Sequence, residues 1–157
     1  MKKLYILTIA AILCLVFTGS MSLAKDSDLD TIESYKQAIR IDPDNAEAHF
    51  DLGFAYNKSG MHDKAIESYK QAIRISPDYA DAHYKLGNAY VAKTMRYEAI
   101  ESYKQAIRIN PDYVDAHFKL GDVYAIQNDR SSALEQYKIL KSLDPEQANR
   151  LFNIIYE

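Results

Sequence analysis

The ten-residue string IESYKQAIRI occurs three times, beginning at Ile32, Ile66 and Ile100, and each copy starts 34 residues after the last. A string of that length does not recur at a fixed period by chance. A single unit this short cannot bury its own apolar face. Each must stack on the next, producing a quasi-one-dimensional array instead of one closed core. The 157 residues divide accordingly into a segment 1–24, a leading half repeat 25–45, units 46–79, 80–113 and 114–147, and a capping helix 148–157.

The first 24 residues stand apart. Lys2 and Lys3 precede an apolar run from Leu4 to Phe17, and small and polar residues follow, ending in Ser22-Leu23-Ala24. This order is that of a secretory signal peptide cut after Ala24. No charge interrupts Leu4 to Ala24, so an uncleaved anchor is the alternative. In both cases the two lysines stay inside and the repeats face outward, periplasmic or secreted in the first case and anchored to the inner membrane in the second.

Cys14 is the one cysteine and lies in the apolar run. Ile12 and Leu13 before it do not suit a lipidation site, and the mature chain is left with no thiol or disulfide. Without Lys2 and Lys3, the 19 Lys and Arg fall to 17 against 22 Asp and Glu. That acidic balance, with no basic block, argues against nucleic acid as a partner.

Within each unit the apolar residues fall at helical spacing. In the first unit His49, Leu52, Gly53 and Tyr56 share one helix face, and Ala65, Ile66, Tyr69, Ala72 and Ile73 share a face of a second helix. Gly53 and Ala65 allow the two backbones to approach closely. Asp44, Asp78 and Asp112 each follow a proline and precede Glu47, Asp81 and Asp115 by three residues, a spacing that predicts a capping box. Gly60 and Asn128 suit a left-handed turn between the helices, and Thr94 suits it less well, which predicts a differently built middle turn.

In the second unit Leu86-Gly87, Tyr90, Ala99, Tyr103, Ala106 and Pro111 stand at the offsets of the tetratricopeptide repeat, and the other units match nearly as well. The chain therefore resembles that family over residues 28–157. The resemblance implies an all-α fold, a right-handed α-solenoid of stacked antiparallel helix pairs. It also implies a protein-interaction module and no enzyme. Two positions depart from the pattern. The tryptophan often found in the first helix is His49, His83 or His117, and Leu140 replaces an expected alanine, so the last interface should pack differently.

No phosphate loop, nucleophile motif or cysteine–histidine cluster is present, and no cofactor is expected. The three equivalent histidines fall in separate units about 10 Å apart and cannot easily converge on one metal, so a packing role between helices is expected. The better candidate site is the other face of the first helices, which in proteins of this kind lines a concave groove. Glu47, Phe50, Phe54 and Asn57 form one stripe, Asp81, Tyr84, Asn88 and Val91 the next, and Asp115, Phe118 and Asp122 the third. Aromatic floor and acidic rim together predict a peptide site preferring apolar anchors and positive charge. Three rows span roughly 30 Å, about nine extended residues. Replacing Phe50, Tyr84 and Phe118 together should then abolish partner capture and leave helicity intact. Some relatives clamp a terminal carboxylate with lysine and asparagine in this groove. The acidic rows here do not carry that specificity. The apolar last helix, with Leu151, Phe152, Ile154, Ile155 and Tyr156, motivates a second reading, a structural component that self-associates or docks through its ends.

Overall fold

The computed structural model describes residues 29–157, so the segment 1–24 expected to be a signal peptide, with Cys14, lies outside the described residues. The described chain is helical throughout. Helix α1 covers residues 29–41. It is followed by α2 (Ala46–Lys58), α3 (His62–Ile75), α4 (Ala80–Ala92), α5 (Arg96–Ile109), α6 (Val114–Ile126), α7 (Arg130–Leu143) and α8 (Pro145–Tyr156). No helix among these residues is long and apolar enough to cross a membrane.

Each helix packs on its successor from α2 to α8. Neighbouring first helices also touch, α2 with α4 and α6 with α8, while successive second helices α3, α5 and α7 make no comparable contact. The consecutive helix pairs thus stack as a solenoid, and α2, α4 and α6 form one of its faces, the one expected to be the inner face. Pairing within a unit depends on close approach. A Cβ added to Gly53 would lie 2.8 Å from the Tyr69 ring, and one on Gly87 would lie 2.5 Å from Tyr103. Ala65, Tyr69, Ala72, Ala99, Tyr103 and Ala106 are all fully buried. In the first two units the tyrosine of the second helix lies under the glycine of the first, and the small alanines around it allow that approach.

The last interface is built differently, as Leu140 implied. Leu140 and Leu151 are fully buried and form a second core with Phe118, Ala133, Ala148 and Ile155. Leu151 now faces Gly121, 2.5 Å from the position of an added Cβ. Tyr137 gives up the place its counterparts occupy and stacks on Phe152 at 5.5 Å, which stacks in turn on Tyr156 at 4.6 Å.

Two local expectations are corrected. The aspartates after the prolines do not form capping boxes, because each first helix begins two residues beyond them. The N-cap of α2 is Asn45, whose side-chain oxygen accepts from the Ala48 amide at 2.9 Å, and Tyr79 and Tyr113 hold the same place before α4 and α6 without a side-chain cap. The middle turn is not built differently either. Thr94 sits at φ 59° beside Asn128 at 61° and Gly60 at 74°, all left-handed. The 34-residue stacking imposes one turn geometry, and Thr94 adopts it despite its branched Cβ.

The three histidines do more than fill space. In each, Nε2 lies within hydrogen-bond distance of the proline carbonyl six residues back: His49 to Pro43 at 3.0 Å, His83 to Pro77 at 3.0 Å and His117 to Pro111 at 2.9 Å. A carbonyl only accepts, so Nε2 carries the proton and donates. The histidine ties the incoming turn to the first helix, a task that the tryptophan indole N–H of the common repeat pattern is also equipped to perform. Among the described residues, no group of three His, Cys, Asp or Glu side chains could hold a metal ion.

Candidate functional site

The face expected to be inner is formed by α2, α4 and α6, and the structure sorts its predicted residues into two kinds. Tyr84 and Phe118 are each only 8% exposed. Tyr84 packs on Tyr103 at 5.9 Å and on Tyr113 at 5.1 Å, and Phe50, half-buried, packs the same way on Tyr69 at 5.7 Å and Tyr79 at 5.0 Å. Phe118 belongs to the second core and lies beneath the Arg150 guanidinium at 5.0 Å. The expectation of an aromatic floor is therefore corrected at Tyr84 and Phe118, which are buried, while Phe50 keeps part of its ring exposed. These rings are largely covered by the tyrosine that ends each unit, or by α8. Replacing all three would damage the scaffold and would not test a groove.

The open surface sits one turn further along. Phe54 is 50% exposed and Val91 38% exposed. Asn57, Asn88 and Asp122 are partly buried, and Glu47, Asp81 and Asp115 are exposed at the rim. Several of these polar groups are already engaged. Asn57 Oδ1 meets His62 Nδ1 at 2.8 Å, Asn88 Oδ1 accepts from the Tyr103 hydroxyl at 2.7 Å, and Asp81 accepts from the Tyr113 hydroxyl.

Two groove cations lay outside the predicted stripes. The Lys85 ammonium lies 5.6 Å from the Phe54 ring centre and 5.4 Å from that of Tyr84, and Lys119 lies 5.8 Å from Phe118. They occupy the position that is Asp51 in the first unit. The first unit thus carries two acids, Glu47 and Asp51, where the next two pair the rim acids Asp81 and Asp115 with Lys85 and Lys119. Asp51, Lys85 and Lys119 are legible in the sequence as one row beside the Leu-Gly pairs, and the change of charge along that row is the signal. Burial, and then Glu47, push the Asp51 carboxyl above its ordinary range.

The first two units differ at one further point. In the second, Tyr84, Asn88 and Tyr103 form a polar set. Burial raises the hydroxyls of Tyr84 and Tyr103, while the Asn88 hydrogen bond opposes the rise at Tyr84. In the first, Phe50 and Phe54 stand in place of Tyr84 and Asn88. The Tyr69 hydroxyl, buried like that of Tyr103, consequently has no hydrogen-bond partner. Leaving such a group unsatisfied costs about 1–3 kcal/mol.

A concavity of about 580 Å³ lies elsewhere, between α1, α2 and α3, lined by Ile39, Leu52, Tyr56 and Gln71 among others. A similar one of about 470 Å³ recurs one unit later at Leu86, Tyr90 and Ser102. Its periodicity marks it as the gap that stacking leaves between successive second helices.

This helix-pair solenoid, with α2, α4 and α6 along one face, defines a repeat-built interaction module. The TPR repeat pattern matches residues 30–60, 55–93 and 97–128, and the chain belongs to the tetratricopeptide repeat family, whose members bind peptides or proteins. Among solved structures it is similar to MamA, at 28% identity and a TM-score of 0.73, covering 85% of this chain and 89% of that one. It shares its fold with MamA from Desulfovibrio magneticus RS-1, at 20% identity and a TM-score of 0.70 over 78% of this chain and 69% of that one. It likewise shares its fold with YrrB, a TPR protein with an unusual peptide-binding site, at 20% identity and a TM-score of 0.68 over 84% and 78%. No match is found among curated proteins.

Proposed function

We propose that the protein is a non-catalytic adaptor of the cell envelope that binds a protein segment along its concave face. The observation that carries this reading is the exposure of Phe54, 50%, on a face whose other aromatics are buried at Tyr84 and Phe118 and half-buried at Phe50. Val91 of α4 is exposed as well, and the two offer apolar anchor points, the pattern of a peptide groove. YrrB, a protein of the same fold, has a peptide-binding site, which supports placing a segment on this architecture. The envelope location rests on the basic start, apolar run and Ala24 cleavage pattern of the N-terminal segment.

A specific observation favours a second reading. Phe152, Ile154 and Tyr156 of α8 are 41%, 37% and 55% exposed at the end of the array, a surface suited to docking or self-association. One experiment separates the two. The tagged full chain is exported, the mature N-terminus is sequenced, and bound proteins are compared across three forms: wild type, Phe54→Ala with Val91→Ser, and Phe152→Ser with Tyr156→Ser. Loss of a partner only with the Phe54/Val91 form establishes the groove. Loss only with the α8 form moves the site to the end. A mature chain that begins at Met1 and stays in the cytosol removes the envelope assignment.

A further inference from the structure

Helix α1 carries the first copy of IESYKQAIRI, and the other two copies lie in α3 and α5. Those two show what the decamer is built to meet. A first helix runs against each, α2 on α3 and α4 on α5, with its glycine seated on the tyrosine ring. Tyr69, Ala72, Tyr103 and Ala106 are fully buried there, and Ser68 and Ser102 are buried as well. The same residues of α1 lie open. Ser34 is exposed, Tyr35 and Ala38 are only half-buried, and Thr31 is exposed where Ala65 and Ala99 are fully buried. Ile41 is 78% exposed, whereas Ile75 and Ile109 are half-buried. Among the described residues no first helix precedes α1.

The far end of the array is finished differently. Lys141 stands in the row of Ile39, Ile73 and Ile107, which pack into the main core, and α8 closes the last unit. A terminal repeat ordinarily turns a polar face outward. Apart from Thr31, α1 instead repeats an interior packing surface letter for letter.

We propose that this face of α1 is a docking surface for a helix of another protein that carries the first-helix pattern, an aromatic residue followed two places on by Leu-Gly. The incoming helix completes the leading half repeat as α2 completes the first unit. Its glycine sits on the Tyr35 ring. Its aromatic residue packs beside that ring, as Phe50 does on Tyr69 at 5.7 Å and Tyr84 on Tyr103 at 5.9 Å. Its leucine turns inward, as the buried Leu52 and Leu86 do. This surface is separate from the groove, and it rests on the cleavage after Ala24 proposed above.

Other occupants lack part of the pattern. A second copy's α2, α4 and α6 are already paired with α3, α5 and α7. Its α8 has Phe152 and Ile154 in place, but Ile155 stands where glycine is needed and is buried in its own core. In the mature chain only residues 25–28 precede α1, too few for a helix like the 13 residues of α2. A retained N-terminal segment offers Gly19, 34 residues before Gly53, but has Val16 and Thr18 in place of the aromatic residue and the leucine.

The probe is a capped peptide with the sequence of Ala80–Ala92, stapled on its outward side to hold the helix, and a second peptide carries leucine in place of the glycine. Both are titrated into the isotope-labelled protein exported from the full chain, whose N-terminus is sequenced. The glycine peptide is expected to bind about tenfold or more tightly, because a larger residue over the tyrosine overpacks the contact. Amide shifts should centre on Ser34, Tyr35 and Ala38. Ala38→Arg, on the open side of α1, should abolish binding and leave the melting temperature of the free protein unchanged. Phe54→Ala with Val91→Ser should not alter it, so failure of the groove leaves this surface standing. Equal affinity for the two peptides, or shifts centred on α4 and α6, overturns the proposal. So does the absence of binding to a chain that begins at Lys25. A chain that keeps residues 1–24, refuses the peptide and shows a nuclear Overhauser contact between Gly19 and Tyr35 assigns the face to its own segment and overturns the external partner. Dimers that Ala38→Arg dissolves overturn it in favour of a second copy.

Discussion

Substituting Gly87 by alanine tests the close approach on which the whole stack depends. In a helix interior this exchange ordinarily stabilises by about 1 kcal/mol through propensity. Here the new methyl would stand 2.5, 2.7 and 3.0 Å from three ring atoms of Tyr103, about an ångström inside ordinary contact. The ring has little freedom to withdraw. It is fully buried between Ala99 and Ala106, packs 5.9 Å from Tyr84, and its hydroxyl is held by Asn88 at 2.7 Å. Overpacking costs typically reach about 1–3 kcal/mol. With the ring confined on every side the upper part of that range applies. After the propensity gain, Gly87→Ala is expected to lose about 1–2 kcal/mol, or roughly 3–8 °C in a thermal melt. Gly53→Ala should lose less, because its contact is 2.8 Å and the Tyr69 hydroxyl is not tethered. Urea unfolding of both variants, of Tyr103→Leu and of the Gly87→Ala/Tyr103→Leu double variant gives the coupling. A Gly87→Ala protein as stable as the parent, or a double variant showing no coupling, would refute the argument that glycine is there for the ring.

Two further outcomes are expected. Thr94→Gly should stabilise by about 0.5–1 kcal/mol, because relief of a left-handed β-branched residue at φ 59° exceeds the added unfolded-state entropy, while Thr94→Ala should gain nothing; chemical denaturation midpoints decide this. Asp51→Asn should be more stable than the parent at neutral pH. Burial and Glu47 raise the folded Asp51 above 3.8, so the parent regains its deficit as pH falls through that raised value, and the difference closes below 3.8. A stability difference that persists or widens in acid would contradict that sign.

The repeat determined most of the fold without help. Ten identical residues at a 34-residue spacing require equivalent environments, and Leu52, Gly53, Tyr56, Ala65, Tyr69 and Ala72 can only be equivalent if helix pairs stack. Gly60 and Asn128 marked their left-handed turns, and Leu140 marked an altered last interface, because each residue type carries its own steric signature. Thr94 was misread for the converse reason: local preference yields when two packed helices dictate the turn between them. Periodicity also placed Phe50, Tyr84 and Phe118 on one face, but a helix face says nothing of what arrives from elsewhere to cover it. The rings of Tyr79 and Tyr113 fold back from the end of the same unit and the side chains of α8 arrive from beyond the third, and only the assembled stack shows that they close over that row and leave Phe54 exposed. The unpaired Tyr69 hydroxyl belongs to the same class of fact. It depends on which side chain of the first helix lies above it, a contact between two helices that no pattern along one of them records.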